Sequence, residues 1–187
     1  MPWRGDDQDV LMHQGIGLEA FNELPTRKAV HALYECCNSV PMAAELARSR
    51  PYPSRKALFS KADAVLFSLT EQSVDEIMQA YPGVGSRPGS TWSHAEQCSL
   101  FDPRPEVMAE LAGAVRRYAD LFGFEFVMHV GALREDQAGP MVIAAIADRM
   151  HNDVDTERKI ARNEIAKLNR SRLERMLGPE GGYDNWH

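Results

Sequence analysis

Tyr81-Pro82-Gly83-Val84-Gly85, followed eight residues later by Ser93-His94-Ala95-Glu96-Gln97, is the stretch on which the reading of this chain turns. Upstream of it, Ser73 with Glu76 reads as a capping box, in which a serine accepts from a backbone amide and a glutamate reaches back. The helix so opened carries Ile77 and Ala80 and is stopped by Pro82-Gly83, which makes Tyr81 a helix-end residue. Ser93-x-x-Glu96 repeats the capping pattern and opens the next helix.

Caps and periodicity extend the helical reading in both directions. Pro25 suits a first helical turn, and Val30, Leu33 and Cys37 continue an apolar stripe at helical spacing. Leu58, Ala62, Val65, Leu66 and Leu69 repeat it after Ser54. Pro105 starts a helix whose Met108, Leu111, Val115, Tyr118 and Phe122 share a face, with Gly123 closing it, and Pro140 opens another. Only Phe124 to Val130 reads as extended, because this run of aromatic and branched residues has no helical period. One such segment cannot build a sheet, so the expected class is all-α: a single-domain, non-repetitive helical bundle. That domain is expected over residues 17–178, between a flexible N-terminal segment, 1–16, and a C-terminal tail, 179–187, neither carrying catalytic groups.

With 187 residues, 44% of them hydrophobic, the chain can bury one substantial core. A formal net charge of -6 without a long basic run sets it against a phosphate backbone, which argues against nucleic acid as a partner. No stretch has the apolar length of a membrane span, and Asp6, Asp7 and Asp9 stand where a signal peptide would carry its apolar core. A cytoplasmic protein that does not engage the membrane is the expectation. Cys36, Cys37 and Cys98 lack metal-ligand spacing and read as buried apolar side chains in a reducing compartment. His13, His31, His151 and His187 show no His-x-x-x-His pattern, so no metal is assigned.

Further strings stand in a definite order: Phe21-Asn22-Glu23-Leu24-Pro25, Cys36-Cys37-Asn38-Ser39, Arg50-Pro51-Tyr52 with Ser54, Tyr118, Phe122-Gly123-Phe124-Glu125-Phe126-Val127, Arg149-Met150-x-Asn152, Glu157, and Lys167-Leu168-x-x-x-Arg172-Leu173. Together with the opening stretch they resemble the OHCU decarboxylase family over roughly residues 18 to 177. Those cofactor-free enzymes convert 2-oxo-4-hydroxy-4-carboxy-5-ureidoimidazoline (OHCU) to S-allantoin in urate breakdown. In that family a His-Pro pair ends one helix and a Ser-x-x-Glu-Gln run begins the next. Here the pair is Tyr81-Pro82. The resemblance therefore implies the family's helical fold, a lyase of purine catabolism without a cofactor, a small anionic heterocyclic substrate and a homodimer.

It also implies a site, whose members each have a structural reading as well. Tyr81 stands in place of the catalytic histidine, with Ser93 and Glu96 as the other catalytic residues and Pro82 beside the substrate. By themselves Ser93 and Glu96 are a capping box; at the family's spacing they lie at a helix N-terminus, where free amides stabilise an anion. Arg172 falls in line with Ile165, Leu168 and Met176, so its stem joins an apolar stripe. An inward arginine is either a structural pair or a fork that binds a carboxylate or ureido oxygen. Phe124, Phe126 and Val127 follow a helix C-cap and read as core, while the resemblance makes them and their backbone a lining of the substrate pocket. His129 stands where relatives carry small or polar residues and is a candidate replacement imidazole.

A phenol does not titrate near neutral pH as an imidazole does, and acid-base catalysis works best when pKa and pH are close. Three readings follow. The chain is an OHCU decarboxylase in which Tyr81 donates a hydrogen bond and Glu96, His94 or His129 moves the proton. Alternatively it is a repurposed relative, acting on another carboxylated or ureido-bearing heterocycle in a secondary-metabolic pathway by decarboxylation, cyclisation or dehydration. The third is a non-catalytic binding protein, against which the retention of Ser93, Glu96 and Arg172 argues.

Overall fold

The structure is a computed structural model that describes residues 15–80, 102–131 and 135–180. Among these residues there are eight helices and no strand: α1 Leu18–Glu23, α2 Thr26–Cys37, α3 Val40–Arg48, α4 Arg55–Ser68, α5 Glu71–Ala80, α6 Pro105–Phe122, α7 Glu135–Arg149 and α8 Val154–Leu177. The protein is all-α. It divides into two compact units, Met1–Ser68 with Asn169–His187 and Leu69–Leu168, and the division falls within α8.

In the first unit, α2 packs on α3 and α3 on α4 through Leu33, Cys36, Met42, Leu46, Leu58 and Leu66, all buried. Pro25 is the N-cap of α2 and not its first helical residue, a one-residue shift that leaves its fixed φ equally suitable. The helix ends on Asn38, whose φ of 51° is a left-handed cap. Ser39 then opens α3 by accepting the amide of Met42 at 3.3 Å, a helix that apolar periodicity had not singled out. Ser54 caps α4 in the same way, accepting the Ala57 amide at 3.1 Å.

Two of the short strings lock together in this unit. Asn22 pairs reciprocally with the backbone of Tyr52, each bond 2.9 Å long, and the Tyr52 hydroxyl donates to the Leu46 carbonyl at 2.8 Å. Arg50, which precedes a cis peptide bond to Pro51, donates to the carbonyls of Phe21, Asn22 and Leu24 and lies over the Phe21 ring. Two orphan carbonyls at the end of α1, those of Phe21 and Asn22, are thereby satisfied together with that of the cap residue Leu24. At the other end of the unit, the amides of Gly15, Ile16 and Gly17 bond the carbonyls of Arg175, Met176 and Leu177. Gly178 closes α8 with φ +76°, and a Cβ there would stand 2.6 Å from the Gly15 Cα, so only glycine fits.

The second unit corrects two expectations. Helix α5 starts at Glu71, not at Ser73, because the Thr70 hydroxyl accepts the Ser73 amide at 3.2 Å and is the true cap. Ser73 is already helical, and Glu76 is exposed, bonded to Gln72 instead of reaching back. Pro140 does not open α7 but lies inside it, where it removes a single i→i−4 bond near the helix start. Helix α6 follows expectation, with Pro105 in its first turn and Gly123 its left-handed cap at φ 78°. It packs on α7, whose Ala138, Val142 and Ile146 face inward. The stretch after Gly123, read as extended, is neither helix nor paired strand. Asp153 opens α8 by accepting the Thr156 amide at 2.8 Å.

Candidate functional site

The implied site residues do not all fall within the described part of the chain. Tyr81, Pro82, Ser93, His94, Glu96 and Gln97 lie outside the described residues, as does Cys98. Phe124, Phe126, Val127 and His129 belong to the second unit and Arg172 to the first.

Helix α8 presents one buried stripe along its length: Glu157, Ala161, Ile165, Leu168, Arg172 and Met176. Arg172 is 1% exposed, the inward placement its spacing predicts. It donates to the Cys36 carbonyl, in the last turn of α2, at 3.4 Å. Burial pushes the Cys37 thiol up to about 11 and the Cys36 thiol further, while the nearby Arg172 guanidinium pulls less strongly in the opposite direction. Both cysteines are free and buried, and as neutral thiols at ordinary pH they act as apolar filling and not as nucleophiles.

At the other end of the stripe, Glu157 is 0% exposed and collects three donors. The Tyr118 hydroxyl reaches its Oε1 at 2.6 Å, Arg149 pairs with the same oxygen, and the Asn152 amide donates to Oε2 at 2.9 Å. Burial and the bond to Glu157 hold the Tyr118 phenol far above its ordinary value, so it stays a donor. Arg149 also donates to the Val127 carbonyl at 2.8 Å and lies 4.4 Å over the Phe126 ring. Around Tyr118 the rings of Phe124 and Phe126 meet it edge to face and that of Phe122 lies tilted, with centroids 4.7 to 6.0 Å away. Phe124, Phe126 and Val127 are thus buried against this network.

His129 is half-buried, and its backbone amide donates to Glu164 Oε2 at 2.8 Å; Lys167 holds the other carboxylate oxygen at 2.6 Å. Among the described residues no group of three or more His, Cys, Asp or Glu side chains could hold a metal ion. No helix among them is long and apolar enough to cross a membrane.

The network around Glu157 was not proposed as a unit from the sequence, although Tyr118, Arg149, Asn152 and Glu157 each appear among the ordered strings. The signal was available. Glu157 precedes Ala161 and Ile165 at spacings of four, so the argument that turns Arg172 inward turns Glu157 inward too.

The uric acid degradation bifunctional protein of Bacillus sp. (strain TB-90) is 27% identical over 165 residues, covering 86% of this chain and 32% of that protein. The chain therefore spans about a third of the length of that curated relative. A crystal structure of OHCU decarboxylase in the presence of (S)-allantoin superposes with a TM-score of 0.66 at 23% identity, covering 77% of this chain and 95% of the other. One of (S)-allantoin synthase superposes with a TM-score of 0.65 at 16% identity, covering 86% and 54%. These two likenesses establish the fold. The OHCU decarboxylase family itself matches residues 22–174, most of the sequence, and its members are decarboxylase lyases. The chain belongs to the OHCU decarboxylase family.

Proposed function

We propose that this protein is a cofactor-free decarboxylase that acts on OHCU and releases S-allantoin in uric acid degradation. The observation that carries the reading is the family match over residues 22–174, which spans the Tyr81-Pro82 and Ser93-x-x-Glu96 stretch and reaches Arg172. The buried guanidinium of Arg172 and the aromatic setting of Phe124 and Phe126 support it.

In the reaction, the bond from the hydroxyl-bearing carbon to the carboxylate breaks and carbon dioxide leaves. The electron pair moves toward the adjacent C=N bond of the ring, and a proton is then delivered to one face. Fixed donors and exclusion of water lower the barrier to such charge spreading without any cofactor. Arg172 supplies a planar fork for the carboxylate or a ureido oxygen, and Ser93 and Glu96 hold the polar edge and the proton. Tyr81 donates a hydrogen bond where relatives use an imidazole, with Pro82 beside the substrate. Phe124, Phe126, Val127 and His129 line the ring. We place the enzyme in the cytoplasm as a homodimer, a reading the buried free thiols of Cys36 and Cys37 suit in its first part.

The Tyr81 substitution favours a second reading, a homologue repurposed for another carboxylated or ureido-bearing heterocycle. The two separate on one variant. Under the first reading, Tyr81→His raises OHCU turnover by about a hundred- to ten-thousand-fold, the usual contribution of a general acid or base. Under the second, it damages activity on the native substrate. If both Tyr81→His and Tyr81→Phe leave turnover unchanged, Tyr81 has no chemical role.

A further inference from the structure

Residues 124–131 follow the left-handed cap of α6 and enter neither helix nor sheet, so no ladder fixes their register. Two side chains take its place. Arg149 Nη1 donates to the Val127 carbonyl at 2.8 Å, and Glu164 Oε2 accepts the His129 amide at 2.8 Å. The two bonds bracket Met128, whose own amide and carbonyl are bonded by no described residue. In an extended chain the carbonyl of one residue and the amide two residues on point to the same edge, and the residue between them presents its polar groups to the opposite edge.

Both anchors are themselves held. Arg149 is clamped by Glu157 and the Tyr118 ring and hydroxyl, and Lys167 grips the free oxygen of Glu164. We propose that Glu164 and Arg149 are positioning residues: they fix the backbone of 127–129 so that the edge carrying the Met128 amide and carbonyl is presented to the substrate. This rests on the reading of the Phe126–His129 stretch as part of the substrate site. Neither anchor is required to touch the reacting atoms; what they supply is a preset backbone, so a ligand need not order the segment on binding.

Glu164 is the anchor to test, since Arg149 also stabilises the buried Glu157. Glu164→Ala removes the acceptor of the His129 amide, whereas Glu164→Gln keeps an acceptor in the same shape. Amide hydrogen exchange of residues 126–130 is read by NMR on the ligand-free protein, and kcat and KM are read separately with OHCU. Glu164→Ala is expected to speed exchange at His129 and its neighbours and to raise KM by about two- to tenfold, the worth of one hydrogen bond, with a smaller change in kcat. Glu164→Gln is expected to restore both. Unchanged exchange in Glu164→Ala overturns the proposal, as does faster exchange with unchanged KM or failure of Glu164→Gln to rescue. If the wild-type protein does not turn over OHCU, the proposed function fails, and exchange with and without (S)-allantoin decides the anchoring. Protection at Met128 that is lost in Glu164→Ala supports it, and its absence overturns it.

Discussion

Glu157 and Arg172 sit on the same buried stripe of α8 with opposite charges, one in each compact unit, and they are held in different ways. The carboxylate of Glu157 meets a guanidinium, a phenol and an amide, partners drawn from α6, α7 and the loop before α8. The guanidinium of Arg172 donates to a neutral backbone carbonyl at 3.4 Å. A charged group on an apolar stripe is therefore not a mark of a ligand site by itself. What holds the group carries the information: Glu157 is matched by an ion pair within its own unit, and such a pair closes on itself.

Breaking the Glu157 pair should have the largest effect on stability. Arg149→Met leaves a fully buried carboxylate without its countercharge and should cost about 3–5 kcal/mol in urea denaturation, while Arg149→Met with Glu157→Leu should recover most of the loss. A double variant as unstable as the single one would mean that the pair is not the unit described. Arg172→Lys keeps the charge and loses the fork. It should lower kcat/KM for OHCU by roughly ten- to a hundredfold and cost less stability than Arg149→Met. If its loss of stability equals that of Arg149→Met, both ends of the stripe are structural and the contrast fails. The smallest effect concerns the start of the same helix. Thr156 donates to Asp153 through both its amide and its hydroxyl, which holds that carboxyl below its ordinary range. A lowered folded value stabilises the protein above the unfolded carboxyl range and is lost as pH falls through the folded value. The effect thus appears below about pH 4. Asp153→Asn should lower the melting temperature slightly near neutrality and flatten the acid end of the profile, the difference from the parent protein closing as pH falls below the folded value.

How far these features could be read from the residues follows from their range. The inward face of α8 was legible because Ile165, Leu168, Arg172 and Met176 repeat locally, and the ends of α6 because Pro105 and Gly123 each act through their own φ. Thr70 and Ser73 both offer a hydroxyl within one turn, and pattern alone could not choose between them. Pro140 misled because a proline near a helix start forfeits only one bond. The partners of Glu157 come from up to 39 residues away, as Tyr118 does, and no local period encodes that meeting. Of the implied site, the inward turn of Arg172 followed from spacing, whereas the anchoring of Val127 and His129 depends on how α7 and α8 pass the segment. The stretch that opened the reading, Tyr81 to Gln97, lies outside the described residues.

Decarboxylation of freshly made OHCU, followed by circular dichroism of the product against the uncatalysed reaction, tests the central claim most directly. The account predicts decay faster than the spontaneous rate and accumulation of the S enantiomer of allantoin, because the site delivers a proton to one face. Decay at the spontaneous rate with racemic product would contradict it.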